Sequence, residues 1–291
     1  MVARAPRRRP LSKGDAKELK KHNARQAKWA ANRWSVPYPT DGPKVTFGVL
    51  WFAALLGAAL LGFNYDNAAV SSVAVAVVTS TVAALAGLQI GFAWFPRNST
   101  TRSWTAGAAF TAGIGGFYGP WGVVFGLILA LVILSVYLIL YRGHRRPPVE
   151  LFDVLARAAI PVGLASASLA AMAFRNLPVL IALVLLVSAY EVGDFLVGSG
   201  AFNPVEGPMA GLIAAAVVAF FLFLIEPDPF SSETIIVFVA IAAVCCPAGQ
   251  YLASALLPRG NTWAPALRRL DSYLLVAPLW LLLLVLLPDL H

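Results

Sequence analysis

Trp104-Thr-Ala-Gly-Ala-Ala-Phe-Thr-Ala-Gly-Ile-Gly-Gly-Phe-Tyr118, followed by Gly119-Pro120, is the stretch whose reading decides the topology of this chain. It is apolar but short, and it carries glycines at 107, 113, 115 and 116. Read as a span of its own, it pairs with the following helix in a hairpin that turns at Gly119-Pro120, a strong breaker pair. Read as one piece with that helix, it moves every later loop to the other side of a membrane. Both readings presuppose a membrane protein, and the composition requires one. Hydrophobic residues fill 59% of 291 positions and charged residues only 12%, with a mean hydropathy of +0.75.

Apolar runs on the scale of the about 20 helical residues needed to cross a hydrocarbon core recur along the chain. They are Val45–Phe63, Ala68–Phe95, Gly122–Tyr141, Val154–Phe174, Leu177–Gly198, Pro208–Ile225, Glu233–Leu256 and Asp271–Leu287. In lipid every backbone amide must find a partner, so such runs form helices or closed barrel strands. Their length and their Ala, Leu, Val and Gly content favour helices, and the short alternating segments of an outer-membrane barrel are missing. The fold expected is an all-α polytopic membrane protein.

Charge distribution chooses the helix count. With Trp104–Tyr118 as a separate span there are nine, and residues 1–44, 96–103, 142–153, 199–207 and 257–270 lie on the side of the N-terminus. Those loops and the adjoining helix ends hold all of the 22 Lys and Arg residues except Arg175. Merging the glycine-rich piece with its neighbour puts Arg142, Arg145 and Arg146 on the far side. The positive-inside rule therefore selects nine helices, with the N-terminus cytoplasmic and the C-terminus outside. The opposite loops Asn64–Asn67 and Glu226–Ser232 carry Asp66, Glu226 and Asp228 and no base.

The net charge of +8 is concentrated in residues 1–44, where twelve Lys and Arg face Asp15, Glu18 and Asp41. No nucleic-acid-binding motif accompanies them, and the segment abuts a helix, so attraction to anionic headgroups is the expected role, at ~1 kcal/mol per base near the surface. Asp15–Trp34 reads either as a basic interfacial helix with Trp29 and Trp34 near the headgroups or as a tail whose charges orient the protein. It is too long and lacks the cleavage site of a signal peptide. Cys245 and Cys246 are adjacent in a helix, point about 100° apart, and read as small core residues. His22, His144 and His291 lie in tails or loops, so any metal expected here is a hard cation on carboxylates.

Four acids stand out near the inner face. Glu191 and Asp194 are three apart and share a helix face, flanked by Gly193, Gly198 and Gly200. Glu206 precedes Gly207-Pro208 at a helix start, where ordinary capping accounts for it. Asp271 lies where Ala-Leu-Arg268-Arg269-Leu-Asp271-Ser272 enters an apolar helix. A carboxylate at that depth costs roughly 2.5–3.5 kcal/mol on insertion scales. Arg259, Arg268 and Arg269 are positioned either to take phosphate oxygens or simply to anchor the loop. Acids, glycines and arginines from three separated segments share one membrane face.

In this order, over roughly residues 150–285, these segments resemble the phosphatidate cytidylyltransferase family, the CDP-diacylglycerol synthases. Glu191-Val-Gly-Asp-Phe-Leu-Val-Gly198 is similar to the family's Asp-x-x-Ala-Tyr-x-x-Gly helix end. Glu206-Gly207 matches the end of its Ser-Pro-x-Lys-Thr-x-Glu-Gly loop. Gly249-Gln250-Tyr-Leu-Ala-Ser254 is similar to Gly-Asp-x-x-x-Ser, and Arg268-Arg269-Leu-Asp271-Ser272 to the closing Asp-Arg-x-Asp-Ser, with Ala277-Pro278 after it. The resemblance divides the chain into a basic tail, residues 1–44, N-terminal helices, 45–149, and a cytidylyltransferase-like domain, 150–291. It departs at Arg268, which stands where the family has an acid, at Gln250, which replaces another, and at Asn203 in place of the loop lysine. Leu257-Pro258 replaces a Lys-Arg pair, and the Lys-Asp and His-Gly-Gly elements have no counterpart.

The resemblance implies a nucleotidyltransferase of phospholipid biosynthesis in a bacterial inner membrane. Such an enzyme joins a phosphatidate-like lipid to CTP with Mg2+ and releases pyrophosphate. Glu191, Asp194 and Asp271 would then hold cations, with Asp271 and Glu191 catalytic. Arg259, Arg268, Arg269, Glu206, Gly207, Ser254 and Ser272 would line the phosphate and lipid site, and a homodimer is implied. The departures support a second expectation, a non-catalytic homologue that binds anionic lipid or serves as a partner membrane subunit. A transporter also uses inner-face acids and glycine-broken helices, but no inverted repeat is visible. The Asp-rich helix of CDP-alcohol phosphotransferases is absent as well.

Overall fold

A helix satisfies its backbone polar groups within its own segment, which is what an apolar surrounding demands. In the computed structural model, which describes residues 43–65, 68–140, 148–199, 203, 205–227, 229–259 and 262–287, no strand occurs among the described residues. The helices are α1 Pro43–Tyr65, α2 Ala68–Trp94, α3 Ser99–Ile114, α4 Gly119–Leu140, α5 Pro148–Arg175, α6 Leu177–Gly198, α7 Glu206–Ile225, α8 Ser232–Leu256, a short α9 Leu267–Leu270, and α10 Tyr273–Leu286. Among the described residues, seven helical stretches are long and apolar enough to cross a membrane, and the apolar core of α1, Gly48–Leu61, is a shorter one. The basic tail, the three histidines, Asp66, Asp228 and the Arg142–Arg146 cluster lie outside the described residues.

One of the seven stretches, Ser99–Leu140, is folded back on itself. A 3-10 turn, Gly115–Tyr118, joins α3 to α4, and Gly119 follows with φ of 74°. A Cβ makes that region costly, so glycine suits it. The two limbs run antiparallel. At the open end the Trp104 and Tyr137 rings are 5.4 Å apart, and Thr101 Oγ1 lies 2.6 Å from Tyr137 Oη. Near the turn the limbs meet backbone to backbone, because a Cβ on Gly122 would overlap the Gly115 carbonyl. The hairpin expected from Gly119-Pro120 is therefore present.

Burial and hydropathy run in opposite directions through the bundle. In the span with the lowest hydropathy, Glu150–Arg175 of α5, 72% of an 18-residue window is buried, whereas in the strongly apolar Glu206–Ile225 of α7 the corresponding share is 11%. Lipid is as apolar as leucine, so the most apolar faces gain nothing by turning inward, and small or hydroxylic residues pack the interior. α5 packs against α2, α3, α4 and α10. Its Ser166 donates to Thr79 Oγ1 of α2 at 2.8 Å. The glycines of the opening stretch serve this interior: Gly113 faces Ser166 and Ser80, Gly116 faces the Ala167 backbone, and only open space lies beside Gly107. Close approach at 113 and 116 is thus used within one protomer.

Two anchors fix the connection between α8 and α10. Trp94 Nε1 donates to the Leu256 carbonyl at 2.9 Å, and the Ala266 amide donates to Gln89 Oε1 at 3.0 Å. Both anchoring side chains come from α2. At the other end of α8, Trp280 Nε1 of α10 donates to the Phe238 carbonyl at 3.0 Å. Between these ties α8 approaches the Asp271–Ser272 turn so closely that a Cβ at Gly249 would overlap the Asp271 carbonyl. The expected span beginning at Asp271 thus starts with a two-residue turn at 271–272 and continues as α10, with the short α9 just before it.

Candidate functional site

The end of α6, the last turns of α8 and the α9–α10 turn meet in one buried polar network. From α6, Tyr190 donates to Gln250 Oε1 at 3.2 Å. Gln250 in turn donates through Nε2 to Asp194 Oδ2 at 3.0 Å. The Gln250 side chain thus stands in the middle, satisfied at both ends. Its backbone carbonyl accepts from Ser254 Oγ at 3.1 Å and from Arg268 Nη1 at 3.4 Å. Arg268 Nη2 also donates to Ser254 Oγ at 3.1 Å.

Arg268 continues the chain of contacts to Asp271, with Nη1 3.6 Å from Oδ2 and both side chains under a tenth exposed. Asp271 Oδ1 accepts from the Ser272 amide at 2.8 Å and from the Ser272 hydroxyl at 3.4 Å. That hydroxyl also reaches the Glu191 carboxylate, which lies within electrostatic range of Asp271, Asp194 and Arg269. Glu191 Oε1 is buried and accepts no hydrogen bond, and Arg269 Nε is buried without an acceptor. Arg269 extends to α1, where its guanidinium lies against Gly48. Among the described residues three carboxylates thus face two guanidiniums, in a place where an uncompensated charge is costly.

Sequence reasoning placed Glu191, Asp194, Arg268, Arg269, Asp271, Ser254 and Ser272 at one site, and the structure brings them together. Gln250, read as the replacement of an acid, is the residue that ties α6 to α8. Arg259 and Glu206 are exposed, outside the buried network, while Gly207 is buried beside Glu206 in the first turn of α7. The Tyr273 hydroxyl bonded to Ser188 and Gly48 under Arg269 carried no sequence signal. Each pairs residues from elements far apart in the chain, with no spacing to mark them.

Among the described residues no group of three or more His, Cys, Asp and Glu side chains could hold a metal ion. A closed all-protein cage is therefore not what these residues offer. Mg2+ is commonly held by one or two carboxylates with phosphate oxygens and water completing the shell. Glu191, with a buried unpartnered oxygen, and neighbouring Asp271 fit that arrangement. The two guanidiniums beside them are suited to phosphate oxygens.

Neither the family models, nor the curated proteins, nor the solved structures compared with this chain match it.

Proposed function

We propose that this chain is a divergent phosphatidate cytidylyltransferase-like protein of a bacterial inner membrane, binding a phosphate-bearing lipid with Mg2+ at its cytoplasmic face. It crosses the membrane nine times, with the N-terminus cytoplasmic and the C-terminus outside. Counting the α3–α4 hairpin as two crossings and α1 as one gives that number, and the distribution of Lys and Arg gives the direction. The observation that carries the ligand reading is the convergence of Glu191, Asp194, Gln250, Arg268, Arg269 and Asp271 from three segments into one buried network.

Charge decides what the network can bind. A phosphate alone would meet the carboxylates of the network. Glu191 and Asp271 would hold Mg2+, which would supply charge neutralisation at the phosphate oxygens. Arg269, whose guanidinium lies against Gly48 of α1, would offer it to those oxygens, Arg268 holds Asp271 in place, and Gln250 fixes Asp194 and Tyr190 relative to α8. In its full form the reaction joins the lipid phosphate to the α-phosphate of CTP and releases pyrophosphate.

A second reading, a non-catalytic lipid-binding membrane subunit, is favoured by Arg268, ion-paired to Asp271 where the resembling family has an acid. The two separate in one experiment: binding of CTP and of phosphatidate to the protein in phosphatidylcholine nanodiscs, with and without Mg2+. Mg2+-dependent binding of both, followed by pyrophosphate release, is expected of the enzyme. Phosphatidate binding without CTP binding is the outcome for the subunit. Absence of phosphatidate binding defeats both.

A further inference from the structure

Directly beside the network is a feature the polar residues do not explain. A crevice of about 140 Å3 opens between α6, α7 and α8, lined almost wholly by carbon. Tyr190 belongs to both: its ring walls the crevice, and its hydroxyl donates to Gln250 in the network. Cys246, one turn before Gln250 on α8, forms part of the same wall. α7 creates the space. It presses its backbone onto α6, where a Cβ at Gly193 or Gly211 would crowd Ala210 or Tyr190, and it meets α8 far less. Between α7 and α8 the lining is mostly small residues, Ala215 and Ala242 among them, with Leu212 and Val239 beside them, and Ala216 is exposed. The crevice therefore opens sideways, toward the apolar surroundings.

We propose that this crevice holds a single hydrocarbon chain of the bound lipid, an inference that rests on the phosphate-lipid reading above. Its volume has room for about five groups the size of water, at ~30 Å3 each, and a methylene is of similar size. That suits one chain segment in single file and leaves no room for a second chain. The polar end is fixed by the same tyrosine that closes the crevice, so headgroup and chain are registered against each other. A second chain, where the lipid has one, stays in the bilayer and contributes little. The ligand class is therefore a phosphate ester recognised by its headgroup and one chain.

The test uses the full protein in phosphatidylcholine nanodiscs with Mg2+. Three probes are compared: glycerol phosphate without a chain, lysophosphatidate with one, and phosphatidate with two. The two lipids are expected to bind within about threefold of each other, and glycerol phosphate at least about tenfold more weakly, since burying about two methylenes already accounts for that factor. Ala242→Phe fills the crevice and is expected to weaken both lipids about tenfold, leaving glycerol phosphate unchanged.

Equal lipid binding by Ala242→Phe and the wild type, or a strong preference for two chains, overturns the chain slot while leaving the lipid reading intact. Failure of the wild type to bind any of the three overturns that reading and the slot with it. Should Ala242→Phe fail to fold, Ala216→Phe, at the exposed side of the crevice, gives an independent readout. It is expected to weaken lysophosphatidate and phosphatidate alike and to leave glycerol phosphate unchanged. Unchanged lipid binding by Ala216→Phe rejects the slot.

Discussion

Asp271 is 4% exposed and receives three kinds of support: an arginine, a backbone amide and a hydroxyl. Its carboxylate is not needed for insertion, which the apolar run of α10 provides. Asp271→Ala is therefore expected to insert normally and to lose Mg2+-dependent lipid binding, measured as the difference in phosphatidate affinity with and without the cation. Arg268 shows the converse. Removing it leaves a buried acid without its counter-ion, a change typically worth about 3–5 kcal/mol. Arg268→Ala is expected to lower the thermal unfolding midpoint markedly. Arg268→Lys should recover only part, because an ammonium cannot reproduce the guanidinium's contacts with the Gln250 carbonyl and Ser254. Equal stability of Arg268→Ala and the wild type would show that the pair contributes nothing.

At the scale of elements, the site depends on how closely helices approach. Gly249 lets α8 lie against the Asp271 carbonyl, and a methyl there must push the turn away from Gln250. Gly249→Ala is expected to abolish ligand binding while helix content, read by circular dichroism, stays unchanged. Retained binding would mean that the turn shifts without disturbing the network. Gly119 works through the backbone instead. Its φ of 74° and ψ of −158° make Gly119→Ala unfavourable by roughly 1–3 kcal/mol, on the α3–α4 hairpin and away from the site. That variant is expected to unfold at a lower temperature and still bind lipid.

The whole molecule is organised by the inversion of hydropathy and burial, with α5 at the centre and α7 at the edge. α7 leans on α6, which leaves the lateral crevice open. Orientation can be checked on intact cells with single cysteines introduced after Cys245 and Cys246 are replaced. A membrane-impermeant thiol reagent is expected to label Ser231→Cys, between α7 and α8, and to spare Arg97→Cys and Arg259→Cys until the membrane is opened. The reverse pattern would invert the topology and move the network to the outer face.

The sequence by itself determined the class, an all-helical chain with apolar spans, and where those spans break. Run length and glycine-proline breakers are local signals, and helices in lipid obey them because unpaired backbone is so costly. It also marked Glu191, Asp194, Arg268, Arg269 and Asp271, since charge within an apolar run is legible without coordinates. Tertiary structure decided which of the marked residues belong together. Arg259 and Glu206 carry the same kind of charge as the residues of the network, yet they lie at its surface. Gln250 and Gly249, neither charged, complete the network and permit it. Those assignments depend on distances between segments some 18 to 80 positions apart, set by side-chain contacts and backbone approach that no sequence periodicity encodes.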